Sequence, residues 1–404
     1  REQPLVELPV SITALDAETI QAASLQHFEE LTRLVPNLNW SGEGSRARYF
    51  QMRGTGELEQ YEGAPNPSVG FLIDDIDFSG IGGAATLFDL DRIEVLRGPQ
   101  GTRYGANALA GLVYLRSAGP TAEPDGWLEA SGGNDDTIAV GGAAGGPFAG
   151  FGDRLGFRVA AQYYRSNGFR DNAYLGRDDT YERDELTTRV KLRWTPNDAW
   201  QADLALLYIR LDNGYDAFAI DNGFTTYSDK PGRDEQETVG GSLRLEGDIA
   251  RAFRLVSITA MADSDIHFSF DSDWGNPDFW NRPQFGNAVY DYVSDTRRDR
   301  QTLSQEFRLV STPDGRIAGR ADWVLGAWFQ KLDEDNDKLD SGVDSGFFCP
   351  DPCFTSVVSN YEATSFALFG ELNVPLGERL DFGAGLRWEQ RDADYSERFA
   401  FSTV

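Results

Sequence analysis

Residues 379–389 read Arg379-Leu380-Asp381-Phe382-Gly383-Ala384-Gly385-Leu386-Arg387-Trp388-Glu389, and their side chains alternate without a break. Leu380, Phe382, Ala384, Leu386 and Trp388 make one set, while Arg379, Asp381, Gly383, Gly385, Arg387 and Glu389 make the other. Successive side chains of a strand point to opposite faces, so this segment is a strand with one apolar and one polar face. That is the arrangement a membrane wall around a wet lumen requires. The same period runs through Leu186, Val190, Leu192 and Trp194 against Arg189, Lys191 and Arg193. It recurs at Leu155, Phe157, Val159, Ala161 and Tyr163 against Arg158 and Gln162.

Working outward, the pattern predicts eleven strands over 126–133, 136–146, 154–166, 185–194, 199–212, 236–247, 253–268, 299–311, 321–334, 362–374 and 379–394. Short links such as Thr195-Pro196-Asn197-Asp198 alternate with long polar ones over about 166–184, 213–235, 268–298 and 335–361. Short turns at one end and long loops at the other are how outer-membrane barrels are built. Many of the strands reach the roughly 9–11 residues needed to cross the hydrocarbon at a tilt. Trp194, Trp200, Trp323 and Trp388 are expected near the short-turn ends, as an interfacial girdle. A soluble sandwich also alternates, but it does not account for the asymmetry of the links.

The composition agrees. The chain has 43 Gly, 15 Tyr, 26 Phe and 9 Trp among 404 residues, with 2 Met and 2 Cys, which favours extended structure over helical bundles. A net charge of −28 excludes a nucleic-acid surface, which needs clustered cations. Mean hydropathy is negative and no eighteen-residue apolar run occurs, so no transmembrane helix is expected. Cys349 and Cys353 stand in Cys-Pro-Asp-Pro-Cys, a spacing that can close a small loop disulfide in an oxidising compartment. A metal site there would need further soft ligands, and the only histidines, His27 and His267, are distant in sequence. Neither histidine has a companion that would suit it to catalysis. Asp333-Glu334-Asp335-Asn336-Asp337 begins like a calcium loop, but Lys338 stands where the turn requires Gly, so a solvated loop is expected.

The first 122 residues have a different texture, that of a small α/β domain. Ser24 followed by Leu25, Phe28, Leu31 and Val35 predicts a one-faced helix stopped by Pro36. Short strands are expected at 48–52, 69–73, 93–96 and 112–115.

Within this part, Asp91-Arg92-Ile93-Glu94-Val95-Leu96-Arg97-Gly98-Pro99-Gln100-Gly101-Thr102-Arg103-Tyr104-Gly105-Ala106-Asn107-Ala108 closely resembles the plug signature of TonB-dependent outer-membrane receptors. Pro9-Val10-Ser11-Ile12-Thr13, Met52-Arg53-Gly54 and Phe71-Leu72-Ile73-Asp74-Asp75 stand in the order expected of that plug. Ala110-Gly111 occupies a place where paired glycines are usual. The resemblance implies a mainly β protein: an α/β plug over 1–122, then a transmembrane antiparallel barrel over 123–404. Family barrels have 22 strands, so eleven would be the N-terminal part of the wall. The segment that engages the TonB-type energy-transducing protein is expected before Arg1.

The function so implied is energy-coupled import of a scarce, large nutrient across the cell outer membrane. The partners implied are the energy transducer, outer-membrane lipid and a metal chelate or other nutrient, most often a ferric siderophore. Cobalamin and oligosaccharide are alternative cargoes; a passive porin and a surface adhesin are rival readings. No Ser-His-Asp grouping, metal-ligand cluster or cofactor motif points to an enzyme or a bound cofactor. By position, the resemblance makes Arg46, Arg48 and Tyr61 apical plug residues facing a ligand. Trp274, Phe279, Trp280, Phe285 and Tyr290 of the 268–298 loop can stack on a flat ligand or pack the loop's own core. Arg53, Arg97 and Arg103 are expected to pair with lumen carboxylates and fix the plug. Wall residues such as Arg158, Arg189, Lys191, Arg193, Arg244, Glu246, Glu306 and Arg308 are expected to face it.

Overall fold

The computed structural model describes residues 11–42, 44–59, 63–82, 86–98, 108–344, 349–377 and 380–403, with backbone alone at 349–350. The first unit runs β1 (Ser11–Asp16), α1 (Ala17–Ala22), a 3-10 turn (Phe28–Arg33), β2 (Leu38–Ser41), β3 (Tyr49–Met52), β4 (Val69–Ile73), β5 (Ile76–Asp77), β6 (Leu90–Arg97) and β7 (Gly111–Ser117). Five of these strands form a sheet in the order β1-β6-β7-β4-β5, in which only β7 and β4 run parallel. Phe71 and Ile73 on β4, Ile93 and Val95 on β6, and Val113 and Leu115 on β7 are wholly buried on one face of that sheet. Phe28, Phe50 and Phe71 pack over it with ring centroids 4.8 to 5.2 Å apart.

The helix expected from Ser24 is not there. Asp16 caps α1 instead, its Oδ1 accepting the Thr19 amide at 2.9 Å, and Ser24 adopts a left-handed φ of 50° that breaks the chain before the 3-10 turn. The predicted face survives: Leu25, Phe28, Leu31 and Val35 are all buried. The four expected strands coincide with β3, β4, β6 and β7.

The second unit comprises β8 (Asp125–Gly132), β9 (Ile138–Pro147), β10 (Leu155–Ser166), β11 (Asp171–Asn172), β12 (Arg183–Asn197), β13 (Trp200–Tyr215), β14 (Thr225–Thr226), β15 (Gly232–Ala250), β16 (Phe253–Asp271), α2 (Pro277–Trp280), β17 (Tyr290–Ser311), β18 (Asp322–Asp344), β19 (Cys349–Pro375) and β20 (Asp381–Thr403). Apart from β11 and β14, which pair with each other, each strand pairs antiparallel with the next, giving an eleven-stranded meander from β8 to β20. All eleven expected strands are present, several of them longer than predicted. The fourth long link is the main difference. Residues 335–344 and 349–361 continue β18 and β19 as a projecting hairpin, so the acidic run at 333–337 is strand, neither calcium loop nor solvated loop.

Alternation produces the two faces as read. On β20, Phe382, Leu386 and Trp388 are more than half exposed on one side, while Arg387 turns to the other, its guanidinium 5.1 Å over the Trp328 ring and its Nε 2.7 Å from Glu389. Met261 on β16 lies opposite Leu303 on β17, and both continue the exposed apolar band. Trp194, Trp200 and Trp323 sit at the short-turn ends, but Trp388, opposite Leu368, lies within the band.

The inner face is not uniformly polar. Leu207, Ile209 and Leu211 of β13 and Ala260, Ala262 and Ile266 of β16 join the buried core of the first unit. Two glycines make room for it. A Cβ at Gly141 would lie 2.5 Å from the Phe88 ring, and one at Gly240 would lie 3.2 Å from Ile76 Cδ1. The small domain is thus seated against the inner face of the wall.

Candidate functional site

The seam between the two units is held at the long-loop end by two buried arginines from the segment between β2 and β3. Arg46 donates from Nε to Glu185 Oε1 at 2.6 Å, and its Nη2 lies 2.9 Å from His27 Nε2. The His27 ring is itself 2.8 Å from Glu185 Oε2 and packs edge-on to Tyr164 at 4.6 Å. Asn213 completes the shell, donating to Glu185 Oε1 at 2.9 Å. Burial alone would lower the Arg46 pKa; Glu185 and Glu29 outweigh it and raise it, so the group stays charged. Arg48 donates to Asp234 Oδ1 at 2.5 Å and to Gln236 at 3.0 Å. Asp234 is wholly buried and also accepts the Ser45 amide and hydroxyl at 2.6 and 2.7 Å.

These positions revise the sequence reading. Arg46 and Arg48, expected to face a ligand, each pair with a wall carboxylate, Glu185 and Asp234. Arg53 is exposed in a left-handed turn (φ 54°). Arg97 bonds within the small domain, to Thr13 Oγ1 and to the Pro36 carbonyl at 3.4 Å. Neither makes an ion pair with a wall carboxylate among the described residues. Arg46 and Arg48, not these two, are the small domain's arginines that reach wall carboxylates among the described residues. Tyr61 and Arg103 lie outside the described residues, as do all of residues 99–107; Gly98 before them stands at φ 99°.

Toward the short-turn end the wall supplies the cations. Arg158 pairs with Asp89 at 2.5 Å, and Arg189 donates to the carbonyls of Phe88 and Thr86 at 2.5 and 2.8 Å. The β4–β5 turn puts Asp74 and Asp75 at left-handed φ values of 47° and 71°, which aspartate tolerates better than most residues. Asp74 meets Lys191 at 2.7 Å, and Asp75 lies 3.7 Å from Arg244. Burial pushes the Asp74 carboxyl up, but Lys191 and Ser117 outweigh it and hold it below its ordinary value. Arg193, Glu246, Glu306 and Arg308 pair instead within the wall, Arg193 with Asp203, Glu246 with Arg244 and Glu306 with Arg308.

The outer loops gather the aromatic residues. Phe279, Trp280 and Phe285 form a cluster with centroids 5.1 to 5.3 Å apart, and Tyr290 closes it at 5.5 Å from Trp280. Trp274 stacks on Phe218 of the neighbouring loop at 5.2 Å and 13°. The loops thus pack their own small core, with Trp274 and Phe285 exposed at its rim. Beneath it Asp273 accepts from Trp280 Nε1 and from the Gly275 and Tyr292 amides, each at 2.9 Å. Burial, with Asp273 and Asp229 nearby, pushes the Asp271 carboxyl up to about 8, against an opposing hydrogen bond from Ser228. Cys349 and Cys353 both fall in the first residues of β19, and Cys353 is disulfide-bonded. Among the described residues no group of three or more His, Cys, Asp or Glu is arranged to hold a metal ion.

His27, Glu185, Asn213 and Asp234 were not singled out as site residues from the sequence. Glu185 and Asp234 lie on inward-facing positions at the long-loop ends of β12 and β15, so strand parity marks them as lumen residues. Their partners, 139 and 186 residues away, leave no local signal.

Residues 4–112 match the family described as TonB-dependent Receptor Plug Domain, and residues 122–403 match TonB dependent receptor-like, beta-barrel. The pesticin receptor of Yersinia pestis is 24% identical over 383 residues, 94% of this chain and 53% of that protein. The chain thus spans about half the length of such relatives. The ferric yersiniabactin uptake receptor of Yersinia pestis superposes with a TM-score of 0.78 at 20% identity, over 97% of this chain and 60% of that one. The ferripyoverdine receptor of Pseudomonas aeruginosa, bound to ferripyoverdine, gives 0.72 at 16% identity, over 98% and 54%. With a plug-type domain seated inside a meander that the barrel family matches over most of the chain, this protein belongs to the TonB-dependent receptors.

Proposed function

We propose that the protein this chain represents imports a ferric siderophore across the cell outer membrane, driven through a TonB-type energy-transducing partner. The observation that carries this reading is the seating of the small domain, pinned to the wall by buried Arg46–Glu185 and Arg48–Asp234 pairs. A passive pore has no use for a folded domain locked into its lumen; a gated importer does. Similarity to receptors for ferric yersiniabactin and ferripyoverdine supports iron chelates as the cargo class. In this reading residues 1–122 are the plug and 123–404 wall, lipid covers the exposed apolar band, and no bond in the cargo changes.

Cargo would first meet the outer loops, where exposed Trp274 and Phe285 offer flat faces beside Phe279, Trp280 and Tyr290. Tyr61, outside the described residues, is proposed as a cargo contact only by its place in the plug sequence. The test is tryptophan fluorescence of the purified full-length protein, titrated with ferric yersiniabactin, ferripyoverdine, cobalamin and a maltooligosaccharide. Saturable quenching by a ferric siderophore alone, weakened by Trp274→Ala, is expected. Quenching by cobalamin or sugar and by neither iron chelate would overturn the cargo class.

A further inference from the structure

At the short-turn end of the seam, which is the periplasmic end in outer-membrane barrels, a cavity of about 420 Å³ lies between the small domain and the wall. Its lining carries five cationic side chains, Arg92, Arg116, Lys191, Arg193 and Arg244, against four aspartates. In a chain with 37 Lys and Arg against 65 Asp and Glu, that local balance runs against the composition.

Four of the five cations are held. Lys191 is bound by Asp74 at 2.7 Å, Arg193 by Asp203 at 2.6 Å, and Arg244 by Glu246 at 2.6 Å. Arg92 is bound by Glu94 at 2.6 Å and Asp91 at 2.7 Å. Arg116 is not: among the described residues no hydrogen bond or ion pair reaches its guanidinium. It lies directly opposite Arg92 across the β6–β7 ladder, so two guanidiniums line the cavity side by side and carboxylates meet only that of Arg92. A planar guanidinium with free donors, opposite a second arginine in a cavity that a lysine also lines, matches a carboxylate.

We propose that this cavity is a second solute site, which takes a carboxylate-bearing anion with Arg116 as its free donor. That the natural occupant is an iron chelate leaving the seam rests on the import reading above. The site itself rests on the cavity and its charges. Asp203 competes with the ligand for Arg193, so the anion would engage Arg116 first and share Arg193 only in part.

The test is calorimetric titration of iron-free citrate into the full-length protein in detergent. Saturable binding is expected, weakened about tenfold by Arg116→Gln through loss of a charge-assisted hydrogen bond, less by Arg116→Lys, and tightened by Asp203→Asn. General loosening of the fold would move the Arg116→Gln and Asp203→Asn variants in the same direction. That outcome, or a wild-type protein with no saturable citrate binding, would overturn the site. Neither iron nor energy enters this titration, so its result stands whether or not the protein imports a siderophore.

Discussion

At the scale of single residues, the firmest feature is Arg48 facing Asp234, with side chains 3% and 0% exposed. Removing one partner of such a pair strands a charge in a low-dielectric interior, whereas removing both strands no charge and leaves only the Ser45 donors and Gln236 without their partners. Arg48→Ala is therefore expected to destabilise the seated domain by about 3–5 kcal/mol, and Arg48→Met with Asp234→Leu to recover part of the loss, the Ser45 donors staying unpaired. Scanning calorimetry of the full-length receptor checks this. An Arg48→Ala protein that melts like the wild type would show that the pair does not hold the domain. Sequence alone could not have found it: Arg48 was read by position as a ligand cation, and nothing near residue 48 points to a carboxylate 186 residues later.

Single elements show where periodicity is informative and where it is silent. Strands were read well wherever one face meets lipid and the other the lumen, because burial then imposes a period of two. Above the apolar band both faces of β18 and β19 carry polar residues, so 335–361 lost its alternation and looked like loop, although its backbone remains paired through Gly342 and Cys353. The segment after Ser24 failed differently: its apolar spacing marked buried positions correctly, but one left-handed residue ended the helix before it began.

The loop between β16 and β17 carries its own prediction. Asp271 lies well beyond Met261, outside the apolar band, with its pKa pushed up to about 8. A carboxyl whose folded pKa is raised binds its proton more tightly when folded. Its contribution is complete below the ordinary value of 3.8 and lost as pH rises through about 8. Amide exchange across 272–289, corrected for intrinsic rates, should therefore quicken between pH 6 and 9, and Asp271→Asn should abolish that pH dependence. Protection that increased over this range would contradict the assignment.

For the whole molecule, the wall and the seated domain have to be understood together. A lumen strand facing only water would carry polar residues inward, yet β13 turns Leu207, Ile209 and Leu211 that way, because its inner face meets the small domain's core. The same logic explains the division between polar locks at the two ends and apolar contact between them. The order of the plug motifs was legible in the sequence; the pairing of one unit with the other was not, because it depends on contacts between residues far apart in the chain. The proposed import of an iron chelate is decided by radio-iron accumulation from ferric yersiniabactin and ferripyoverdine in cells carrying the complete gene, with and without a protonophore. Accumulation of one chelate that the protonophore abolishes while surface binding remains is expected; accumulation indifferent to the protonophore, or binding with no accumulation in energised cells, would rule energised import out.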